Sequence, residues 1–201
     1  MENEVQVISI PFDFSDVSLQ PAPFPHFVRT GALDLSAAEA VRRWFSEDAV
    51  WKSVEGGFYL MSQSRITSAR LPSHLAWVAA PETVDYLRQM VASLFGATLG
   101  SRVDIDAHRM TPDQRVAIHN DFRPGGETHR LVVGLSPGWT QDDGGLLVLL
   151  KGSVPEDAMR AVLPCDGCVT GFEISPRSFH AVTPVTRSVR FTLIYSFYGQ
   201  E

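Results

Sequence analysis

The stretch after Gly100 constrains the fold most. It breaks into seven short segments of strand character, at 102–110, 115–120, 130–136, 146–151, 168–172, 177–182 and 189–198. Turn residues separate them: Pro124-Gly125-Gly126, Pro137-Gly138, Asp142-Asp143-Gly144-Gly145 and Asp166-Gly167. Short strands at this density fit an antiparallel barrel or sandwich. Upstream, the pattern differs. Segments 5–10 and 24–29 read as strands, with a Pro- and Asp-rich connector over 12–25. Ser36-Ala37-Ala38-Glu39 reads as a capping box, followed by Ala40, Val41, Trp44 and Phe45 on one helical face. Pro81-Glu82 opens a second helix, whose apolar face includes Val84, Leu87, Val91 and Leu94, and Gly96 or Gly100 ends it. No repeat, low-complexity block or linker divides the chain. The expected layout is one domain over 1–201, with helical support and edge strands in 1–100 and a β core in 101–201.

Composition narrows the class. The 201 residues are enough for a substantial core, and 44% hydrophobic with 20% charged residues is ordinary for a folded protein. The net charge of −6 gives no electrostatic footprint for nucleic acid, so none is expected as a partner. No apolar run approaches the ~18 residues of a membrane span, so no membrane partner is expected. Met1-Glu2-Asn3-Glu4 lacks the basic start of a secretory signal. Two cysteines make no disulfide framework, and a reducing cytoplasmic setting is the default.

Three features carry chemistry. In His119-Asn120-Asp121, residues i and i+2 of a strand point to one face. An imidazole and a carboxylate converge there, which suits a divalent metal. His180, in Ser178-Phe179-His180-Ala181-Val182, arrives from a distant strand as a third ligand. Two His and one carboxylate on one side of a metal leave the other side open, as in non-haem Fe(II) oxygenases; catalytic zinc also uses such a set. Arg190 lies one hairpin beyond His180, with Thr192 two residues on and on the same face. A buried guanidinium needs an anion, either a core-facing acid or a bound dicarboxylate. Arg123 and Arg130 can meet a substrate carboxylate. Tyr59, Gln63 and Arg65 sit in an irregular stretch between the helices, where core packing and a substrate contact are both open to Tyr59. His108 and His129 read as strand-surface or supporting histidines, Trp139 as a packing residue, and Cys165-Asp166-Gly167-Cys168 as a turn with plain reduced thiols.

Four stretches, in order, resemble the Fe(II)- and 2-oxoglutarate-dependent dioxygenases, and within them the prolyl-4-hydroxylase-like branch. These are His119-Asn120-Asp121; the run from His129 to Leu150, HRLVVGLSPGWTQDDGGLLVLL; Leu163-Pro164 through Gly167 to Phe172; and His180 through Pro184-Val185 to Arg190-Phe191-Thr192. Pro23-Phe24-Pro25-His26-Phe27-Val28 also looks like the start of that branch. The resemblance implies an α+β, mainly β fold: a double-stranded β-helix, jelly-roll or cupin-like, with supporting N-terminal helices. It implies Fe(II) on His119, Asp121 and His180, 2-oxoglutarate held by Arg190 and Thr192, and O2 as oxidant, with ascorbate as a possible reductant. The implied reaction is hydroxylation or another oxidation of an unactivated C–H bond, with release of succinate and CO2. The expected substrate is a small molecule, an amino acid or an amino-acid- or peptide-derived natural product. The alternatives are a prolyl or other residue hydroxylase acting on a peptide or protein, and a non-catalytic metal- and 2-oxoglutarate-binding sensor barrel. Two positions depart from the family pattern. Met110 stands where a tyrosine usually helps hold 2-oxoglutarate, and Leu146 where an acid often follows Gly-Gly. Asp121 is present, which favours hydroxylation over halogenation. The oligomeric state is left open.

Overall fold

The computed structural model describes residues 9–57 and 59–200. Among them, eleven strands and two α-helices follow one another: β1 (His26–Arg29), α1 (Leu35–Glu47), β2 (Lys52–Gly56), β3 (Tyr59–Arg65), α2 (Pro81–Phe95), β4 (Leu99–Met110), β5 (Arg115–His119), β6 (Glu127–Gly134), β7 (Leu147–Leu150), β8 (Ala158–Val162), β9 (Val169–Glu173), β10 (His180–Val182) and β11 (Arg190–Gly199). Most of the strand expected over 5–10 lies outside the described residues, and Ser9 and Ile10 are not in a strand.

Every strand pairing is antiparallel. The hydrogen-bonded order is β1-β9-β6-β11-β4-β3-β5-β10-β7-β8, with β2 on β3. Strand β3 turns the corner of this path. Its start, Tyr59 and Leu60, pairs with β5, and Ser62 to Arg65 pair with β4. The long wall and the short wall therefore face each other across one interior. The fold is a double-stranded β-helix, mainly β, with helices on one side.

Strand β11 shows why the layers form. Phe191, Leu193, Tyr195 and Phe197 alternate onto the helix side and join one core with Val41 and Phe45 of α1 and Leu87 and Val91 of α2. Arg190 and Thr192 fall on the opposite face, toward the interior. Both sets are buried. Burying each large apolar side chain contributes about 1.5–3 kcal/mol, so the helices act as the lid of the long wall.

The helix boundaries correct one expectation. Asp34 caps α1, its carboxylate accepting from the Ser36 and Ala37 amides at 2.9 and 3.1 Å. The capping box centred on Ser36 starts the helix two residues late, because an ionised Asp serves the first-turn donors from outside. Helix α2 begins at Pro81 and ends at Gly96, whose φ of 64° is left-handed, as expected of a glycine C-cap. The first 100 residues also carry more strand than expected. The β2–β3 hairpin extends the sheet there, and in the second half β8 adds an unexpected edge strand beyond β7.

Candidate active site

His119 closes β5 and His180 opens β10, and the two stand directly opposite each other in register. Their ring centroids are 4.3 Å apart. Asp121 reaches the same point by a route the sequence did not suggest. The strand stops at His119, and Asp121 takes a left-handed φ of 56°. Aspartate tolerates that region better than most residues, and the turn swings its carboxylate back. Asp121 Oδ2 lies 3.2 Å from His119 Nε2 and 3.4 Å from His180 Nε2. One ligand atom from each residue lies within 4.8 Å of the others.

The backbone sets the tautomers. His119 Nδ1 lies 2.8 Å from the Ala117 carbonyl and His180 Nδ1 2.8 Å from the Ser178 carbonyl. A carbonyl only accepts, so each Nδ1 carries the hydrogen and each Nε2 turns a lone pair to the centre. Burial pushes the His180 pKa down, keeping the ring neutral. Its Nε2 is buried and has no hydrogen-bond partner. A buried acceptor left unpaired costs free energy. Beside a second imidazole and a carboxylate, it marks a place for a cation, and the donor set fits a divalent transition metal.

Asn120 ties the turn down. Its amide donates to the Pro176 carbonyl at 3.1 Å, and Ser178 Oγ donates to the Asn120 carbonyl at 3.2 Å. The segments carrying the first and last members of the triad are thus stitched together before any metal arrives. Motif spacing gave no sign of this role for Asn120 and Ser178.

Two arginines flank the triad, Arg130 half-buried and Arg190 buried. Arg130 donates to Asp121 Oδ2 at 2.5 Å and grips Glu127 with a fork of 2.9 and 2.6 Å. Burial works against ionised Asp121, but contacts with His119, His180 and Arg130 outweigh it and hold the carboxyl well below the usual range. Arg190 is 3% exposed. It donates from Nε to the Gly145 carbonyl at 2.8 Å and from Nη1 to Thr192 Oγ1 at 3.4 Å, with Met110 Sδ at 3.7 Å. Among the described residues no carboxylate forms a salt bridge with it. Burial alone pushes its pKa down to about 10, so it keeps its charge at neutral pH. Gly145 is required here. Its φ is 61°, and a Cβ would come within 2.9 Å of Arg190 Cδ.

One cavity of about 440 Å³ holds the triad, Arg130, Arg190 and Thr192, with Tyr59, Gln63 and Arg123 on its walls. A larger cleft of about 790 Å³ lies outside and contains none of the triad; Arg123 lines both. Of Arg65, His108, His129, Trp139 and the two cysteines, also singled out in the sequence, His108 alone lines this cavity. Arg65 pairs with Asp104 and Asp106 at 3.3 and 3.2 Å and does not line the cavity. His129 is buried rather than on the strand surface, edge-on to Phe95 of α2 with ring centroids 4.9 Å apart. His108 is likewise not a surface residue; it lines the cavity. Trp139 is buried, its indole donating to the Gly144 carbonyl at 2.8 Å. Cys165 and Cys168 are free thiols, and burial pushes Cys168 up to about 12, which suits an unreactive residue.

Known proteins resemble this chain in sequence and share its fold. Residues 105–197 match the family model described as the 2OG-Fe(II) oxygenase superfamily. A prolyl 3-hydroxylase, OGFOD1 of Xenopus laevis, is 25% identical over 175 residues, covering 86% of this chain. The chain spans only 34% of that relative's length. A prolyl-4-hydroxylase of Pseudomonas putida superposes with a TM-score of 0.71 at 20% identity, over 87% of this chain and 92% of that one. HygX of Streptomyces hygroscopicus, solved with nickel and 2-oxoglutarate, superposes with a TM-score of 0.62 at 15% identity, over 87% and 83%. At these identities the solved structures speak for the fold alone.

Proposed function

Because residues 105–197 form a 2OG-Fe(II) oxygenase domain, we propose that this dioxygenase oxidises an unactivated C–H bond of an amino acid, or of an amino-acid- or peptide-derived molecule. The observation that carries the reading is one cavity holding both an orphaned Nε2 within a two-histidine, one-aspartate cluster and a buried guanidinium without a carboxylate. The first calls for a cation and the second for an anion. Fe(II) and 2-oxoglutarate supply one of each.

In this reading His119 Nε2, Asp121 and His180 Nε2 hold the iron. Arg190, with Thr192, takes the far carboxylate of 2-oxoglutarate. When bound, iron and 2-oxoglutarate together supply the oxidising power that a C–H bond demands, with succinate and CO2 as co-products and ascorbate as the reductant that keeps the metal ferrous. The rest falls to the chain. The carbonyls of Ala117 and Ser178 fix both imidazoles as neutral ligands. Arg130 holds the Asp121 carboxylate in one orientation, its own charge already matched by Asp121 and Glu127. Leu147, Phe172 and Val182 give the cavity apolar walls that keep water from the reacting carbon.

A second reading, hydroxylation of a residue within a peptide or protein, has its own support. Tyr59 and Arg123 stand on the cavity wall, Arg123 also borders the larger open cleft, and several similar proteins are named as prolyl hydroxylases. The test is to load the protein with Fe(II) and 2-oxoglutarate without oxygen, then admit oxygen and quantify succinate. Free amino acids are compared with short proline-containing peptides. Succinate production that rises above the substrate-free rate with either group assigns the class. No 2-oxoglutarate-dependent succinate under any condition overturns the oxygenase reading.

A further inference from the structure

The pocket floor carries a third polar group beside Arg190 and Thr192. On β4, Ile105 and Ala107 are buried in the core shared with the helices, so His108 falls on the opposite face and lines the cavity. In register, His108 stands opposite Thr192 on β11 and Gln63 on β3. The next residue toward the floor on that face, Met110, pairs with Arg190 and offers its guanidinium only a sulfur atom. A methionine cannot donate to an anion placed there.

The His108 ring is suited to do so. Burial, with Arg130 and Arg190 nearby, pushes its pKa down to about 3. The imidazole is therefore neutral, with one N–H donor. Among the described residues no hydrogen bond engages that ring. An anion seated against Arg190 and Thr192 has room for a further donor, because two carboxylate oxygens offer about four acceptor sites.

We propose that His108 binds the cosubstrate, donating a hydrogen bond to the C5 carboxylate of 2-oxoglutarate alongside Arg190 and Thr192. The proposal rests on the oxygenase reading above and deepens it. His108 supplies at the neighbouring strand position the donor that Met110 lacks.

The test is calorimetry under anaerobic conditions on the Fe(II)-loaded protein, so no turnover is needed. Two ligands are titrated: 2-oxoglutarate, and oxalate, which chelates the metal but has no C5 carboxylate. A lost hydrogen bond to a charged group weakens binding about tenfold or more. His108→Phe is expected to weaken 2-oxoglutarate by at least about tenfold while leaving oxalate within about twofold. His108→Gln, which keeps a donor, restores most of the affinity. Arg190→Met serves as the reference, losing 2-oxoglutarate and keeping oxalate. If His108→Phe binds 2-oxoglutarate like the parent while Arg190→Met does not, the His108 assignment is wrong and the pocket reading stands. If neither substitution changes 2-oxoglutarate binding, the pocket reading fails as well. Equal weakening of both ligands places His108 at the metal end and also overturns the proposal. Should His108→Phe not fold, His108→Ala is read in the same way, with rescue by added imidazole expected and absence of rescue counting against the assignment.

Discussion

Arg130, half-buried, and Arg190, buried, line one cavity, and their surroundings are opposite. Arg130 has two carboxylates, Asp121 and Glu127, and these outweigh burial and raise its pKa. Arg190 has a carbonyl, a hydroxyl and a sulfur atom, and burial lowers its pKa to about 10. A buried cation with its anions in place belongs to the architecture. A buried cation lacking one stays costly until a ligand arrives, and the fold tolerates that cost at a binding site. The two side chains thus divide the cavity into an end that is complete as folded and an end that still has room for an anion.

The harshest way to break that contrast is to remove the shared carboxylate. Asp121→Ala takes away one of the three candidate metal ligands and one of the two anions on Arg130. Activity is expected to fall to the background of the assay, with Fe(II) affinity, measured by anaerobic titration, falling along with it. Retained iron binding and turnover would show that the metal sits elsewhere. Next come the arginines themselves, compared by urea unfolding of the ligand-free proteins. Arg130→Met leaves the half-buried Asp121 and Glu127 carboxylates without their shared cation, and is expected to be destabilising, by less than the roughly 3–5 kcal/mol of a fully buried pair. Arg190→Met removes a charge that had no carboxylate partner and is expected to be neutral or slightly stabilising. It also raises the 2-oxoglutarate requirement by about a hundredfold, the scale of a lost charge-assisted fork. Equal stability losses in the two variants would erase the distinction.

How much of this could be read beforehand depended on chain parity. His119, Asp121, His180 and Arg190 were legible because each sits in a short motif, and turn residues bracket the strands that carry them. The β core was legible for the same reason. The β2–β3 hairpin was not, because Tyr59 and Gln63 face a polar cavity and much of β2 is exposed, so no apolar alternation marks it. The Arg130–Glu127 fork was hidden for a geometric reason. Residues three apart on a regular strand point to opposite faces. Here a register shift in the β6–β11 ladder places Glu127 opposite Tyr198 and returns it to the side of Arg130. Asp34 was passed over because Ser36 and Glu39 offered the more familiar cap. His129 and His108, one buried against a helix and the other on the cavity wall, could not be separated without knowing which face of each strand the helices cover.

The mildest test uses that last pair of faces. On β6, Arg130 points into the cavity while its neighbour His129 is packed against Phe95, and the two respond to acid differently. Arg130 stays charged throughout the accessible range. His129 is held down to about 4 by burial, against about 6.5 in the unfolded chain. Between those values the unfolded state binds more protons at this residue, so its contribution to stability falls as pH drops from about 6.5 to about 4 and is constant below. His26, His108 and His180 are shifted the same way by burial and add to the slope. Each full proton of difference contributes about 1.4 kcal/mol per pH unit. His129→Phe keeps the aromatic contact and removes one of these protons. In urea unfolding between pH 6 and 4.5, its stability curve is expected to be shallower than the parent's by roughly that amount per unit. A parallel curve would mean that His129 is solvated and free to protonate in the folded state, and that the helix side of β6 is not the sealed face that leaves the cavity side to carry the charge.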